Sequence, residues 1–145
     1  MIRDNDKSWL LLICLLLHVT IYSGCQARFN RKISDKEFTV ISTSCSKQVY
    51  PISLLYLDGD CSFCLAKALA FEEKVYGKGN GSVLLFKVSN PVMAKMYIQG
   101  LSLRSCIILD SSNLFAHSFA LNSMYEITGK GEILSEKLEI GRAHV

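Results

Sequence analysis

The chain has 145 residues, half of them hydrophobic, with six cysteines and a formal charge of +3. That length holds one domain rather than two. The charge is mild and thinly spread, so the dense basic stripe of a nucleic-acid footprint is excluded.

In chain order, residues 1–24 read as a signal peptide of lipoprotein type. Arg3 and Lys7 are offset by Asp4 and Asp6, and Trp9 to Leu17 is continuously apolar. An apolar core of that length suits a signal peptide better than a bilayer span, which needs about 20 residues. Counting the flank Val19 to Tyr22 keeps an uncleaved membrane anchor as the alternative. Ser23-Gly24-Cys25 resembles a bacterial lipobox, whose cysteine is lipidated, although Tyr22 stands where an aliphatic residue is usual. Both readings place the rest of the chain outside the cytoplasm, in the cell envelope on the periplasmic side, where a disulfide persists. Residues 25–37 form a polar tether, and its cluster Arg28, Arg31 and Lys32 reads as a solvated face rather than a lipid-binding patch.

The domain is expected over residues 38–139, opening with a short strand Phe38 to Ile41. Ile52 to Leu57 is near-continuously apolar, as in a central strand covered on both faces. Cys61-Ser62-Phe63-Cys64 follows at a strand-to-helix junction, where a helix N-terminus favours a thiolate on the first cysteine. Cys64 to Tyr76 is amphipathic, with Leu65, Ala68, Leu69 and Val75 on its apolar side. Gly77 to Gly81 stops it; following a helix and lacking a Gly-Lys-Ser/Thr ending, this cluster is no phosphate loop. A strand Ser82 to Val88 comes next. Then comes a helix capped by Asn90, with Pro91 at its first position and Met93 and Met96 expected as core filler.

Cys106 to Leu109 reads as the third strand, Leu114 to Leu121 as a short helix, and Met124–Ile127 with Glu132–Leu134 as a hairpin around Thr128 to Gly131. Strands alternating with helices imply parallel units closed by an antiparallel edge: an α/β fold with a mixed sheet flanked by helices. Residues 140–145, Ile140 to Val145, match the translation of a common sequencing-adapter oligonucleotide and are set aside, His144 with them.

With these elements in place the chain, over Phe38 to Leu134, resembles the thioredoxin fold. It is most similar to TlpA/redoxin-like thiol-disulfide lipoproteins of Bacteroidetes type. Asp110 to Ala116 is similar to that family's segment in which an aspartate ends a strand before a small helix, and Ile127 to Ile133 to its hairpin. Leu57-Asp58-Gly59-Asp60-Cys61-Ser62-Phe63-Cys64 also resembles the Asp-Gly-x-Cys-x-x-Cys signature of the DCC family of thiol-disulfide oxidoreductases. Three positions depart from the pattern. Asp60 stands where the family has tryptophan, Ser123 falls near its cis-proline, and its terminal helix is absent or truncated, which would leave one sheet face poorly covered.

The resemblance implies thiol-disulfide exchange with protein thiols or disulfides and no cofactor. Cys61, at the exposed helix end, would attack; Cys64, one turn in, would resolve. The carboxylates of Asp58 and Asp60 are expected to modulate the site. They would hold the Cys61 thiol near its ordinary value of about 8.5, with Asp58 capping the helix. The alternative is a redox-inactive thioredoxin-like binding module of the cell envelope. A zinc site would need two further ligands from Cys45, Cys106 and His117 and is disfavoured; Cys45 reads as a free thiol or an occasional disulfide partner.

Overall fold

The computed structural model describes residues 31–138. The stretch read as a signal peptide, Cys25 and residues 140–145 lie outside the described residues.

Five strands form one sheet: β1 (Ile52–Asp58), β2 (Gly81–Lys87), β3 (Cys106–Asp110), β4 (Ser123–Ile127) and β5 (Ile133–Leu138). Their spatial order is β3-β2-β1-β4-β5. β1, β2 and β3 run parallel, while β4 pairs antiparallel with β1 and β5 antiparallel with β4. Helix α1 (Asp35–Ser44) precedes the sheet, α2 (Ser62–Val75) links β1 to β2, and α3 (Pro91–Gln99) links β2 to β3. A single 3-10 turn, Leu114–His117, stands where a longer helix to Leu121 is expected. The mixed sheet flanked by helices matches the expected architecture.

The first element differs from expectation. Phe38 to Ile41 lies inside α1 and forms no strand. Its aromatic and β-branched run favours a strand locally, but Ser34 and Glu37 form a capping box. Ser34 Oγ accepts from the Glu37 N–H at 3.2 Å, and the Glu37 carboxylate accepts from the Ser34 N–H at 2.8 Å. Asp35 and Glu37 in the first turn add favourable charge at the helix N-terminus. The packed chain also reaches back into the stretch read as tether: Ile33 and Glu37 are both buried.

Each face of the sheet has its own core. Ile52, Leu54 and Tyr56 of β1 pack with Val83 and Leu85 under Ile41 of α1 and Phe115 and Phe119. Leu55 and Leu57 point the other way, onto Leu84 and Phe86, and are roofed by Ala68 and Phe71 of α2 and Ala94 and Ile98 of α3. Full burial of a side chain such as Phe71 is worth about 2–3 kcal/mol. The buried Asp110 carboxylate accepts from the N–H groups of Leu114 and Phe115 and from the Tyr56 hydroxyl, so it starts the 3-10 turn and ties it to β1. Both faces of the central strands are therefore covered. The outer strand β5 is barer, with Leu134 56 % exposed.

Cys45, at the end of α1, is bonded to Cys106, the first residue of β3, across a sequence separation of 61. Half-buried Cys106 is thus neither a free strand thiol nor a metal ligand. Closing a loop of that length restricts the unfolded chain by about 4 kcal/mol in the entropic account. Replacing Cys45 and Cys106 together with alanine is expected to lower the unfolding free energy by about 2–4 kcal/mol. Urea denaturation checks this through a lower midpoint, with a steeper slope as the uncrosslinked unfolded chain expands.

Candidate active site

β1 ends at Asp58, and the chain turns through Gly59 and Asp60 into α2. The turn is held at both ends. Asp58 Oδ1 accepts from the Asp60 N–H at 3.0 Å, and the Gly59 N–H donates to the Lys87 carbonyl at 2.7 Å. Only glycine fits at 59: a Cβ there would lie 2.6 Å from Val88 Cγ1 and 3.2 Å from the Lys87 carbonyl oxygen. Asp60 Oδ2 accepts from the Ser89 N–H at 2.9 Å, joining the turn to the segment after β2.

Cys61 is the N-cap of α2, with an extended backbone (φ −104°, ψ 114°) and no side-chain capping bond. Asp58 is therefore not the helix cap; its carboxylate closes the preceding turn. Cys61 is half-buried and Cys64 buried at 5 % exposure, and both are thiols. The Cys64 N–H donates to the Cys61 carbonyl at 3.0 Å, closing the first turn of α2 and stacking the two side chains.

The two thiols are driven apart. Cys61 lies below the ordinary thiol value, chiefly because the Cys64 thiol donates a hydrogen bond to its sulfur. The backbone N–H groups of Cys64 and Phe63 add to this, against some desolvation and a weaker repulsion from Asp58. Cys64 is pushed up to about 11, first by burial and then by its hydrogen bond to Cys61 and that sulfur's charge; Lys67 offsets part of the rise. The expectation that the carboxylates hold Cys61 at its ordinary value is thus corrected: the helix start and its partner thiol outweigh Asp58.

Position 123, near the family's cis-proline, opens β4 as a buried serine paired with Tyr56 of β1. Before it, Asn122 takes a left-handed backbone (φ 63°), donates its N–H to the Tyr56 carbonyl at 2.7 Å and accepts from Lys67 Nζ at 3.2 Å. Lys67 was missed in the sequence, although it lies three residues past Cys64, the spacing that places side chains on one helix face. The remaining candidates lie elsewhere. Cys45–Cys106 is at the opposite end of the parallel strands from Asp58, and His117 is exposed on the 3-10 turn. The disulfide removes two of the three further zinc ligands considered, since zinc binds a thiolate. Among the described residues no helix is long and apolar enough to cross a membrane.

No protein-family model matches the chain, and no curated protein matches it. Solved structures do. A chain assigned as the thiol:disulfide interchange protein DsbE from Chlorobium tepidum is similar with a TM-score of 0.50 and 13 % identity, over 63 % of this chain and 70 % of that one. A chain assigned as a thioredoxin from Neisseria meningitidis is similar with a TM-score of 0.47 and 15 % identity, over 63 % of this chain and 66 % of that one. The exposed lipoprotein thioredoxin of Streptococcus pneumoniae is similar with a TM-score of 0.47 and 20 % identity, over 62 % of this chain and 75 % of that one. At 13 % identity the likeness to the first of these shows the fold alone, which is thioredoxin-like.

Because the Cys64 thiol is the main cause that lowers Cys61, Cys64→Ala should raise the midpoint of Cys61 alkylation as pH is scanned. Cys64→Ser, which keeps a donor, should raise it less. Rates of iodoacetamide labelling, located by peptide mapping, check the order; equal midpoints for the two variants would refute the hydrogen-bond account.

Proposed function

We propose that this thioredoxin-like chain is an extracytoplasmic, membrane-tethered thiol-disulfide exchange protein acting on protein thiols or disulfides through Cys61 and Cys64. The observation that carries this reading is the pair itself: two thiols at a helix start, the outer one lowered and half-exposed, the inner one raised and buried. In the reducing direction the Cys61 thiolate attacks one sulfur of a partner disulfide. A mixed disulfide forms and one partner thiolate leaves, taking up a proton. Cys64 then loses its proton and attacks the Cys61 sulfur, releasing the second partner thiol. The net change is two electrons and two protons to the partner, with Cys61 and Cys64 joined; the oxidising direction is the reverse.

Asp58 and Asp60 shape the turn that presents Cys61, and as carboxylates beside it they would modulate the couple. Asp58 is close enough to act electrostatically on both sulfurs. The compartment is supported by the Cys45–Cys106 disulfide, a bond that persists outside a reducing cytosol. The tether is the lipid on Cys25 that the Ser23-Gly24-Cys25 sequence suggests.

A redox-inactive binding module is the second reading. It is favoured by one observation: position 123, near the family's substrate-docking proline, holds a buried serine. The full chain in detergent, equilibrated in glutathione buffers and thiol-trapped, separates the two. Exchange predicts a Cys61–Cys64 couple with a midpoint between about −120 and −270 mV. A midpoint below about −300 mV, or no disulfide between these two sulfurs, leaves the binding module.

A further inference from the structure

One expectation fails on the surface beside Cys61. Met93 and Met96, read as core filler, are 45 % and 65 % exposed, and Val92 and Tyr97 beside them are 69 % and 61 % exposed. Only Ala94 and Ile98 of α3 are buried. A nine-residue helix with four large apolar side chains in water is unusual for a surface without a partner. Between this helix and the start of α2 lies an open cleft of about 380 Å³, within the size range of ligand clefts. Asp60, Ser62 and Leu65 form one wall, and Ser89, Met93 and Tyr97 the other. Asp60 and Ser62 are the chain neighbours of Cys61, so the cleft opens beside the thiol.

The β4 side of the thiol pair is differently furnished. There Asn122 has its N–H committed to the Tyr56 carbonyl and its side-chain oxygen to Lys67 Nζ. On the cleft side, by contrast, Asp60 keeps one carboxylate oxygen free of the Ser89 bond. Among the described residues neither Asp58 nor Asp60 has a salt-bridge partner.

Resting on the exchange role of Cys61, we propose that this cleft docks the cysteine-bearing segment of the protein partner. It selects an apolar side chain next to that cysteine and a basic one within reach of Asp60. Met93 and Tyr97 supply the apolar contact: methionine adapts its shape to different side chains, and tyrosine offers an apolar ring with a polar tip. The Asp60 carboxylate supplies charge complementarity, which chiefly governs the rate of encounter and weakens as salt screens it. The contact is small, as suits a partner that must leave after each exchange.

The test uses the full reduced chain in detergent micelles and three disulfide probes. These are oxidised glutathione, a short peptide with Leu and Lys flanking a glutathione-capped cysteine, and the same peptide with Ala and Glu. In each reaction Cys61 attacks and Cys64 resolves, so the two protein thiols are lost as the probe's two thiols appear; the rate is read by acid quenching and chromatographic quantitation of the free glutathione formed. The Leu/Lys peptide is expected to react about tenfold faster than the Ala/Glu peptide. The double variant Met93→Ser, Tyr97→Ser should lower that ratio by removing its apolar part, and Asp60→Asn should remove its salt dependence. Equal peptide rates in the unsubstituted chain, or a ratio unmoved by the double variant, overturns the docking surface while leaving exchange intact. If oxidised glutathione and both peptides all fail to react, the exchange reading falls and the docking proposal with it. A dimer in sedimentation that Met96→Asp dissociates would assign the α3 face to a second copy instead, and would also overturn it.

Discussion

The candidate chemistry hangs from the end of β1. This strand is buried on both faces from Ile52 to Leu57 and is paired on both edges, with β2 in parallel and β4 antiparallel. A strand held on four sides cannot slip without turning its apolar side chains to the wrong core. Its last residue, Asp58, is therefore fixed in space, and so is the turn it begins. Gly59 extends that rigidity by letting the chain pass within hydrogen-bonding distance of Lys87 and in contact with Val88. Cys61 inherits its position from these constraints and from its backbone bonds to Asp58 and Cys64; its side chain makes no capping contact.

A fixed start to α2 then divides the work between two identical side chains. The N-cap position leaves the Cys61 sulfur near unpaired backbone N–H groups and partly in water, where charge is tolerated. One turn later, Cys64 faces Leu55, Leu57 and Phe86 in the core, where charge is costly. The hydrogen bond between the thiols amplifies the difference, because one must donate and burial decides which. The Asp58 carboxylate does not reverse the outcome, since its repulsion is the smallest of the influences on the Cys61 sulfur.

Much of this was legible in the sequence, for a physical reason. Buried parallel strands are unbroken apolar runs, so β1 and β2 stood out. Asn90-Pro91 marked the start of α3 because a side-chain acceptor followed by a residue lacking an N–H suits only a helix N-terminus. The failures were of two kinds. In α1, the strand-like run Phe38 to Ile41 outweighed the capping box of Ser34 and Glu37, a signal that was present but not weighed. The roles of Asp58, Met93, Met96, Cys45 and Cys106 depend on what the fold brings near them, and no local pattern carries that. Methionine is apolar enough to pass for core, yet α3 is short and only Ala94 and Ile98 reach the sheet. Cys45 and Cys106 are separated by 61 residues and meet only because α1 packs beside the edge strand β3.

The two cysteine pairs show how place, not chemistry, decides what a sulfur can do. Cys45 and Cys106 fasten an end of α1 to the start of an edge strand, so their bond is coupled to the packing of a whole face of the sheet. Opening it gains little unless α1 also moves, and the bond is stabilised by everything that holds α1 down. Cys61 and Cys64 lie within a single helical turn, joined by a backbone hydrogen bond that needs no bond between the sulfurs. Their union or separation asks little of the fold, and the cost of change falls on one buried thiol. A chain with both pairs can keep one closed as a brace while the other cycles, provided the brace stands at the far end of the strands. That is where the parallel register puts it.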